Sequence, residues 1–284
     1  MVGLGHHGRH EQTEANLSNE PEAKHHLSRC VAWTALAAIV VIGGVLRFWQ
    51  IGQKDLWLDE SISAIAADGS LRETVTSVAK YDAHPPLYYL ALNLTTRLTG
   101  RDEAGLRALS AVASIGCIVL TYALGAALLS RTAGLLASGL MAMSSFQLYF
   151  AQEARLYAFV TLLVLGSTYV FVRILKSRRT APRAVWPWMA AYAVLTAAAL
   201  YTYYYAVFMI ATHAVVFCVL WFCARFRPGA DEERWLLTAR RAEALWPMFF
   251  AAMVLGGILF AVAWGGILLD RVEEMGQVTS RPYG

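Results

Sequence analysis

Two adjacent carboxylates, Asp59 and Glu60, sit in the stretch Leu56-Trp57-Leu58-Asp59-Glu60 just beyond the first long apolar run, and His84-Pro85-Pro86-Leu87-Tyr88-Tyr89 follows further on. A carboxylate beside a membrane surface can act as general base toward a hydroxyl or hold a divalent cation through its oxygens. A second cluster, Gln152-Glu153-Ala154-Arg155, is bracketed by Tyr149 and Tyr157. Arginine grips phosphate oxygens in a planar, bidentate manner, which suits the leaving group of a lipid-linked phosphate donor. Together these residues are the parts of a glycosyl transfer at a membrane surface. Plainer roles stand beside that reading. Asp59 and Glu60 suit the first turn of a helix beginning near Ser61, Glu153 and Arg155 can simply pair at the end of a span, and His84 can be a turn residue ahead of Pro-Pro. His213, alone in an apolar run, reads as a buried hydrogen-bonding residue.

The elements that must position these clusters are set by composition. The 284 residues are 57% hydrophobic and 15% charged, with mean hydropathy +0.46, and they contain several uncharged runs of roughly 17 residues or more, long enough to cross a hydrocarbon core of about 30 Å as helix. The expected fold class is all-α, a polytopic membrane protein. The runs are Cys30–Leu46, Leu109–Leu129, Ala133–Ala151, Leu156–Val172, the block Ala184–Ala224, and Ala244–Leu269. The long block would be about 60 Å as one helix, twice the bilayer, so it must turn back, and Tyr201-Thr202-Tyr203-Tyr204-Tyr205 is the expected turn. That predicts about seven transmembrane helices. Pro85–Leu98 is apolar but short, interrupted by Asn93 and Arg97, and is expected to lie on or dip into the outer leaflet.

The net charge of +4 does not point to nucleic acid, because most Arg and Lys fall in short loops between apolar runs, where they set orientation. With the N-terminus inside, Arg131, the loop of Arg173, Lys176, Arg178, Arg179 and Arg183, and the Arg225–Arg241 loop are cytoplasmic. Residues 47–105, net acidic, then form a large extracytoplasmic loop with short juxtamembrane helices, on the same side as the Glu153 cluster. Residues 1–29 carry His6, His7, His10, His25 and His26 among acidic residues and read as a disordered cytoplasmic tail ahead of an uncleaved first span. Residues 30–269 form the membrane module, and 270–284 the start of a further extracytoplasmic loop. Cys30, Cys117, Cys218 and Cys223 lack metal or disulfide spacing and read as small hydrophobes. The sequons at Asn16 and Asn93 are read as chance matches.

The acidic pair, the His84-Pro85-Pro86-Leu87-Tyr88-Tyr89 segment, Leu106-Arg107-Ala108-Leu109-Ser110 opening the next span, and Tyr149-Phe150-Ala151-Gln152-Glu153-Ala154-Arg155-Leu156-Tyr157, in that order, resemble the polytopic GT-C glycosyltransferases, most closely the protein mannosyltransferase and aminoarabinose transferase-like branch. The resemblance implies a polyprenyl-phosphate-linked sugar donor, a protein, lipid or glycan acceptor, and inverting transfer on the outer face of the plasma membrane. It implies Asp59 as general base and Glu60 as its supporting or acceptor-binding companion. His84 would shape the donor pocket, while Glu153, Arg155 and Tyr157 would line the donor-phosphate and acceptor site. The family often has a second acidic residue shortly after the arginine of the last motif, where this chain has Tyr157. Glu153 stands in for it, and the need for a divalent metal, with Asp59 and Glu153 as its ligands, stays open. Such proteins normally continue through further spans, so a chain stopping at Gly284 reads as truncated or partner-dependent. Two alternatives remain. A non-catalytic scaffold or assembly subunit has no reason to bring Asp59 to Glu153 and Arg155. A transporter would place ionisable residues deep within spans, whereas the span centres here carry essentially no Asp, Glu, Lys or Arg.

Overall fold

A computed structural model describes residues 29–81, 84–177 and 182–226, and beyond them positions 247, 250–251, 253–258, 260–262 and 266. The described residues are helical, with no strand among them. In order they form α1 (Arg29–Phe48), α2 (Leu58–Ala66), α3 (Leu71–Tyr81), α4 (Leu87–Thr99), α5 (Glu103–Leu128), α6 (Arg131–Met143), α7 (Ser145–Ala151), α8 (Tyr157–Lys176), α9 (Pro182–Leu200), a 3₁₀ turn (Tyr204–Ala206) and α10 (Val207–Phe226). The tail, the first sequon, the Arg178–Arg179 pair, the basic loop after Phe226 and residues 270–284 lie outside the described residues, and the last apolar run is described only at scattered positions.

Four helices, α1, α5, α8 and the stretch Tyr204–Cys223, are long and apolar enough to cross a bilayer. The run predicted as one span over 133–151 is two helices, α6 and α7, bent by 59° at Ser144, and counts as a fifth crossing if taken as one. The long uncharged block does turn back at Tyr201–Tyr203, leaving α9 with a shorter apolar stretch, Val185–Leu200. The architecture expected from composition is therefore present, with four or five candidate crossings among the described residues.

Helix ends follow local chemistry. Asp102 caps α5 by accepting from the Gly105 N–H at 2.9 Å, and Gly100, at φ +93°, ends α4 in a conformation that disfavours other residues. Ser130 and Ser144 cap α6 and α7 through their hydroxyls. α5 is the hub, packing against α1, α4, α6, α7 and α8. Its crossing with α6 is glycine on glycine. A Cβ at Gly134 would lie 2.6 Å from the Tyr122 carbonyl oxygen, and one at Gly125 would lie 2.8 Å from the Gly134 Cα.

Because α5, the α6–α7 pair, α8, α9 and α10 alternate in direction, residues 49–81, 84–102, 152–156 and 201–206 gather at one end of the bundle. Two contacts tie them there: the Leu87 N–H donates to the Tyr201 carbonyl at 3.0 Å, and the Gln152 carboxamide donates to the Trp49 carbonyl at 3.0 Å. α4 is about 20 Å long and too short to cross. Its inner face, Tyr88, Tyr89, Leu92 and Asn93, is fully buried, while Leu94 and Leu98 face outward. Asn93 donates to the Ala67 and Gly69 carbonyls at 2.8 and 3.0 Å, so this sequon asparagine is a structural tie between α4 and the α2–α3 turn. His213 is likewise structural: its ring nitrogens meet Tyr192 Oη at 3.0 Å and Thr168 Oγ1 at 3.2 Å, joining α8, α9 and α10.

Candidate active site

The site is assembled at that end of the bundle, and Glu60 is its keystone. Position 60 lies in the first turn of α2, where a carboxylate can reach back to the helix's free N–H groups, and Glu60 Oε2 accepts from the Trp57 N–H at 3.4 Å. The same oxygen pairs with Arg107 Nη2 at 2.7 Å, and Oε1 accepts from Arg107 Nε at 2.8 Å and from the Ala154 N–H at 2.7 Å. Both residues are almost fully buried. One carboxylate therefore joins α2, the start of α5 and the loop before α8. Burial by itself would push the Glu60 pKa up, but Arg107 and the Ala154 and Trp57 amides outweigh it and hold the carboxyl below its ordinary value. Arg107 is saturated in turn, donating also to the Ile51 and Lys54 carbonyls at 2.8 Å and to the Asp55 carbonyl at 3.2 Å.

Asp59, one residue earlier, points the other way and is 37% exposed. Its Oδ2 lies 3.5 Å from Arg155 Nη2, and its carbonyl accepts from Arg155 Nη1 at 3.3 Å. Arg155 is buried, reaches Ser63 Oγ at 3.4 Å, stands 6.0 Å from the Tyr157 ring centroid, and keeps its Nε without a hydrogen-bond partner. The loop that carries it is fixed from beneath by Ser110 Oγ, which donates to the Arg155 carbonyl at 3.1 Å. Glu153 is buried beside this group. Burial raises its pKa above the ordinary carboxylate value, and the Glu60 charge adds to the rise, while a Tyr149 hydrogen bond and Arg155 oppose it.

The aromatic side is continuous. His84 stacks on Tyr203 with ring centroids 5.6 Å apart, Tyr203 meets Tyr157 edge-on at 6.5 Å, and Tyr157 lies 4.8 Å from Phe150. The structure thus brings Asp59, Glu60, Glu153, Arg155 and Tyr157 together, and links His84 to them through Tyr203. Two participants carry no role in the sequence reading. Arg107 is quoted there only as part of a span opening, although a guanidinium entering an apolar span is itself a signal that a carboxylate awaits it. Tyr203 is read there only as an interfacial turn residue, and nothing in its local sequence separates it from Tyr204 or Tyr205.

A divalent cation of the magnesium or calcium type takes six or more oxygen ligands, several of them carboxylate or carbonyl. Among the described residues no group of three or more His, Cys, Asp or Glu side chains is gathered, and Glu60 is committed to Arg107 and the Ala154 amide. Beside Glu60, the site's carboxylates are Asp59 and Glu153, which offer fewer oxygens than such an ion takes.

Residues 83–227, a little over half of the chain, match the family model of dolichyl-phosphate-mannose-protein mannosyltransferases. The match takes in His84, Arg107, Glu153, Arg155 and Tyr157 and begins after Asp59 and Glu60. No curated protein matches the chain.

Proposed function

The chain belongs to the dolichyl-phosphate-mannose-protein mannosyltransferase family, and on that premise we propose that it transfers a sugar from a polyprenyl-phosphate donor to an acceptor hydroxyl at the end of the bundle where Asp59 and Arg155 meet. The observation that carries this reading is Arg155. It is buried within 3.5 Å of a partly exposed carboxylate, with Nε unpartnered. An unsatisfied buried donor costs about 1–3 kcal/mol, a cost removed when an anionic oxygen binds, and a guanidinium presents the planar donor set that phosphate accepts.

In the proposed reaction Asp59 removes the proton from the acceptor hydroxyl as its oxygen attacks the anomeric carbon. The bond from that carbon to the phosphate oxygen breaks, the electron pair leaves with the polyprenyl phosphate, and attack from the opposite side inverts the anomeric centre. Arg155 meets the negative charge that develops on the departing phosphate. Glu153, on the same loop as Arg155, orients the acceptor beside the departing phosphate. His84, Tyr203 and Tyr157 form the aromatic wall against which the sugar packs. Glu60 touches no reactant in this scheme. It holds Asp59 and the Arg155 loop in register through Arg107 and the Ala154 amide, and so is a positioning residue.

The convergence of Asp59, Glu153 and Arg155 from distant sequence supports transfer over a scaffolding role, for which their meeting serves no purpose. The reading places the site on the extracytoplasmic side of the plasma membrane, with the basic loops inside. Purified protein in liposomes, offered a panel of radiolabelled polyprenyl-phosphate sugars with protein, lipid and glycan acceptors, tests it. Transfer with inversion of the anomeric configuration is the expected result. A product of retained configuration contradicts the direct displacement, and no transfer above protein-free liposomes across the panel contradicts the reading as a whole.

A further inference from the structure

The bend between α6 and α7 lies in an apolar region, where unpaired helix-end carbonyls are expensive. Arg47, at the last turn of α1 and fully buried, meets them: Nη1 donates to the Ala142 carbonyl at 3.1 Å and Nη2 to the Met141 carbonyl at 3.2 Å. The same guanidinium donates to its own helix at the Gly43 carbonyl, 3.0 Å, and to Ser114 Oγ of α5 at 2.8 Å. The negative end of the α6 dipole is a favourable place for this charge. A return contact comes from the far end of α7. The Gln152 carboxamide donates to the Trp49, Leu46 and Arg47 carbonyls at 3.0, 3.3 and 3.4 Å, capping the end of α1, while backbone bonds from Trp49 and Ile51 satisfy Val45 and Phe48. Arg47 thus caps the end of α6 and Gln152 the end of α1, and between the two caps lies α7, which leads directly into Glu153 and Arg155.

We propose that Arg47 and Gln152 are positioning residues forming a two-point clamp, one at each end of α7, which fixes the bend of the broken span and thereby aims Glu153 and Arg155 at Asp59. The clamp stands on its own geometry, and only its kinetic consequence rests on the transfer reading above. A helix end held at both termini keeps the donor-binding groups in one place, and a displacement of about 1 Å at a catalytic group can cost about 100-fold in rate.

The test compares the purified full chain with Arg47→Met, Gln152→Ala and the double variant, using hydrogen–deuterium exchange over residues 144–156 and transfer kinetics side by side. Each single substitution is expected to speed exchange in that segment while leaving residues 110–125 protected, and to lower kcat about 10- to 100-fold with a rise in donor KM, because Arg155 is the group displaced. The double variant is expected to be no worse than the poorer single, because either change opens the same clamp. Arg47→Lys, which keeps a charge but not the fork, should recover part of the kcat. Gln152 is only partly buried, so Gln152→Ala keeps the test decisive if Arg47→Met does not accumulate. Unchanged exchange over 144–156, or an unchanged kcat in the folded variants, overturns the proposal. If the unaltered protein transfers nothing, the transfer reading fails by itself, and the exchange arm still decides the clamp.

Discussion

At the scale of single residues the site separates neighbouring acids by environment. Asp59 and Glu60 adjoin in sequence, yet one faces the opening and the other is locked to Arg107 at 2.7 Å in the interior. Breaking a buried pair leaves an uncompensated charge, so Glu60→Gln or Arg107→Met should each lower stability by about 3–5 kcal/mol, and the double change to Glu60→Met with Arg107→Met should recover much of the loss. Thermal unfolding in detergent checks this. The sign of the pH dependence follows from the same contacts. The Glu60 pKa is lowered in the folded protein, so its contribution is complete above the ordinary carboxylate value and is lost as pH falls through the folded value. Glu153 runs the other way. Its pKa is raised, so its contribution is present in acid and is lost as pH rises through the folded value. Replacing it with the neutral Gln should therefore leave thermal stability at neutral pH equal or higher while transfer falls; a destabilised Glu153→Gln would contradict the assignment. The sequence made the candidate residues readable because carboxylates and an arginine bordering apolar runs are conspicuous. The resemblance already implies a supporting role for Glu60; what the sequence hid is the partner that locks it inside, Arg107, 47 positions away.

At the scale of elements, what could be read from sequence was the set of apolar runs and the turn within the long block, both governed by composition and bilayer thickness. The break at Ser144 could not. A serine inside an apolar run is ordinary in a span, and the carbonyls it frees are satisfied by Arg47 from another helix, which no local pattern records. The α4 helix was readable as too short to cross, but its burial was not, because the α2–α3 turn that Asn93 bonds lies 24 to 26 positions away in sequence. The α5–α6 crossing gives a sharp expectation at this scale. A side chain at Gly134 meets the backbone oxygen of Tyr122 at 2.6 Å, and backbone cannot yield as a flexible side chain does. Gly134→Val should force the helices apart and destabilise by about 1–3 kcal/mol, whereas a valine at Gly139, which has open space around it, should be far better tolerated. A paired thermal-shift measurement separates the two.

At the scale of the whole molecule, alternation of helix direction places the acidic segment and the Glu153 cluster at one end and Arg131, Arg173 and Lys176 at the other. Positive charge is retained on the cytoplasmic side, so the site end is expected to face outward. Starting from a chain lacking Cys30, Cys218 and Cys223, a cysteine replacing exposed Asp68 should react with a membrane-impermeant thiol reagent on intact cells, and one replacing Arg131 should react only after lysis. The reverse pattern would invert the molecule and move the chemistry to the cytoplasmic face. Topology also explains why residues separated by 96 positions could be expected to meet: once the number of crossings between them is set, Asp59 and Arg155 must share a face. That they meet within 3.5 Å is a property of packing beyond any counting of spans.

In the proposed transfer Asp59 does the chemistry while Arg155 holds the donor. Its most direct test is a single comparison in liposomes of Asp59→Asn with the unaltered protein, measuring both the transfer rate and the dissociation constant for the polyprenyl-phosphate donor. Loss of a general base lowers the rate about 100- to 10,000-fold, and that loss is expected with donor affinity undiminished, since Arg155, which grips the phosphate, is retained and loses a competing carboxylate. An Asp59→Asn variant that transfers at the original rate, or one whose defect is wholly in donor binding, would contradict it.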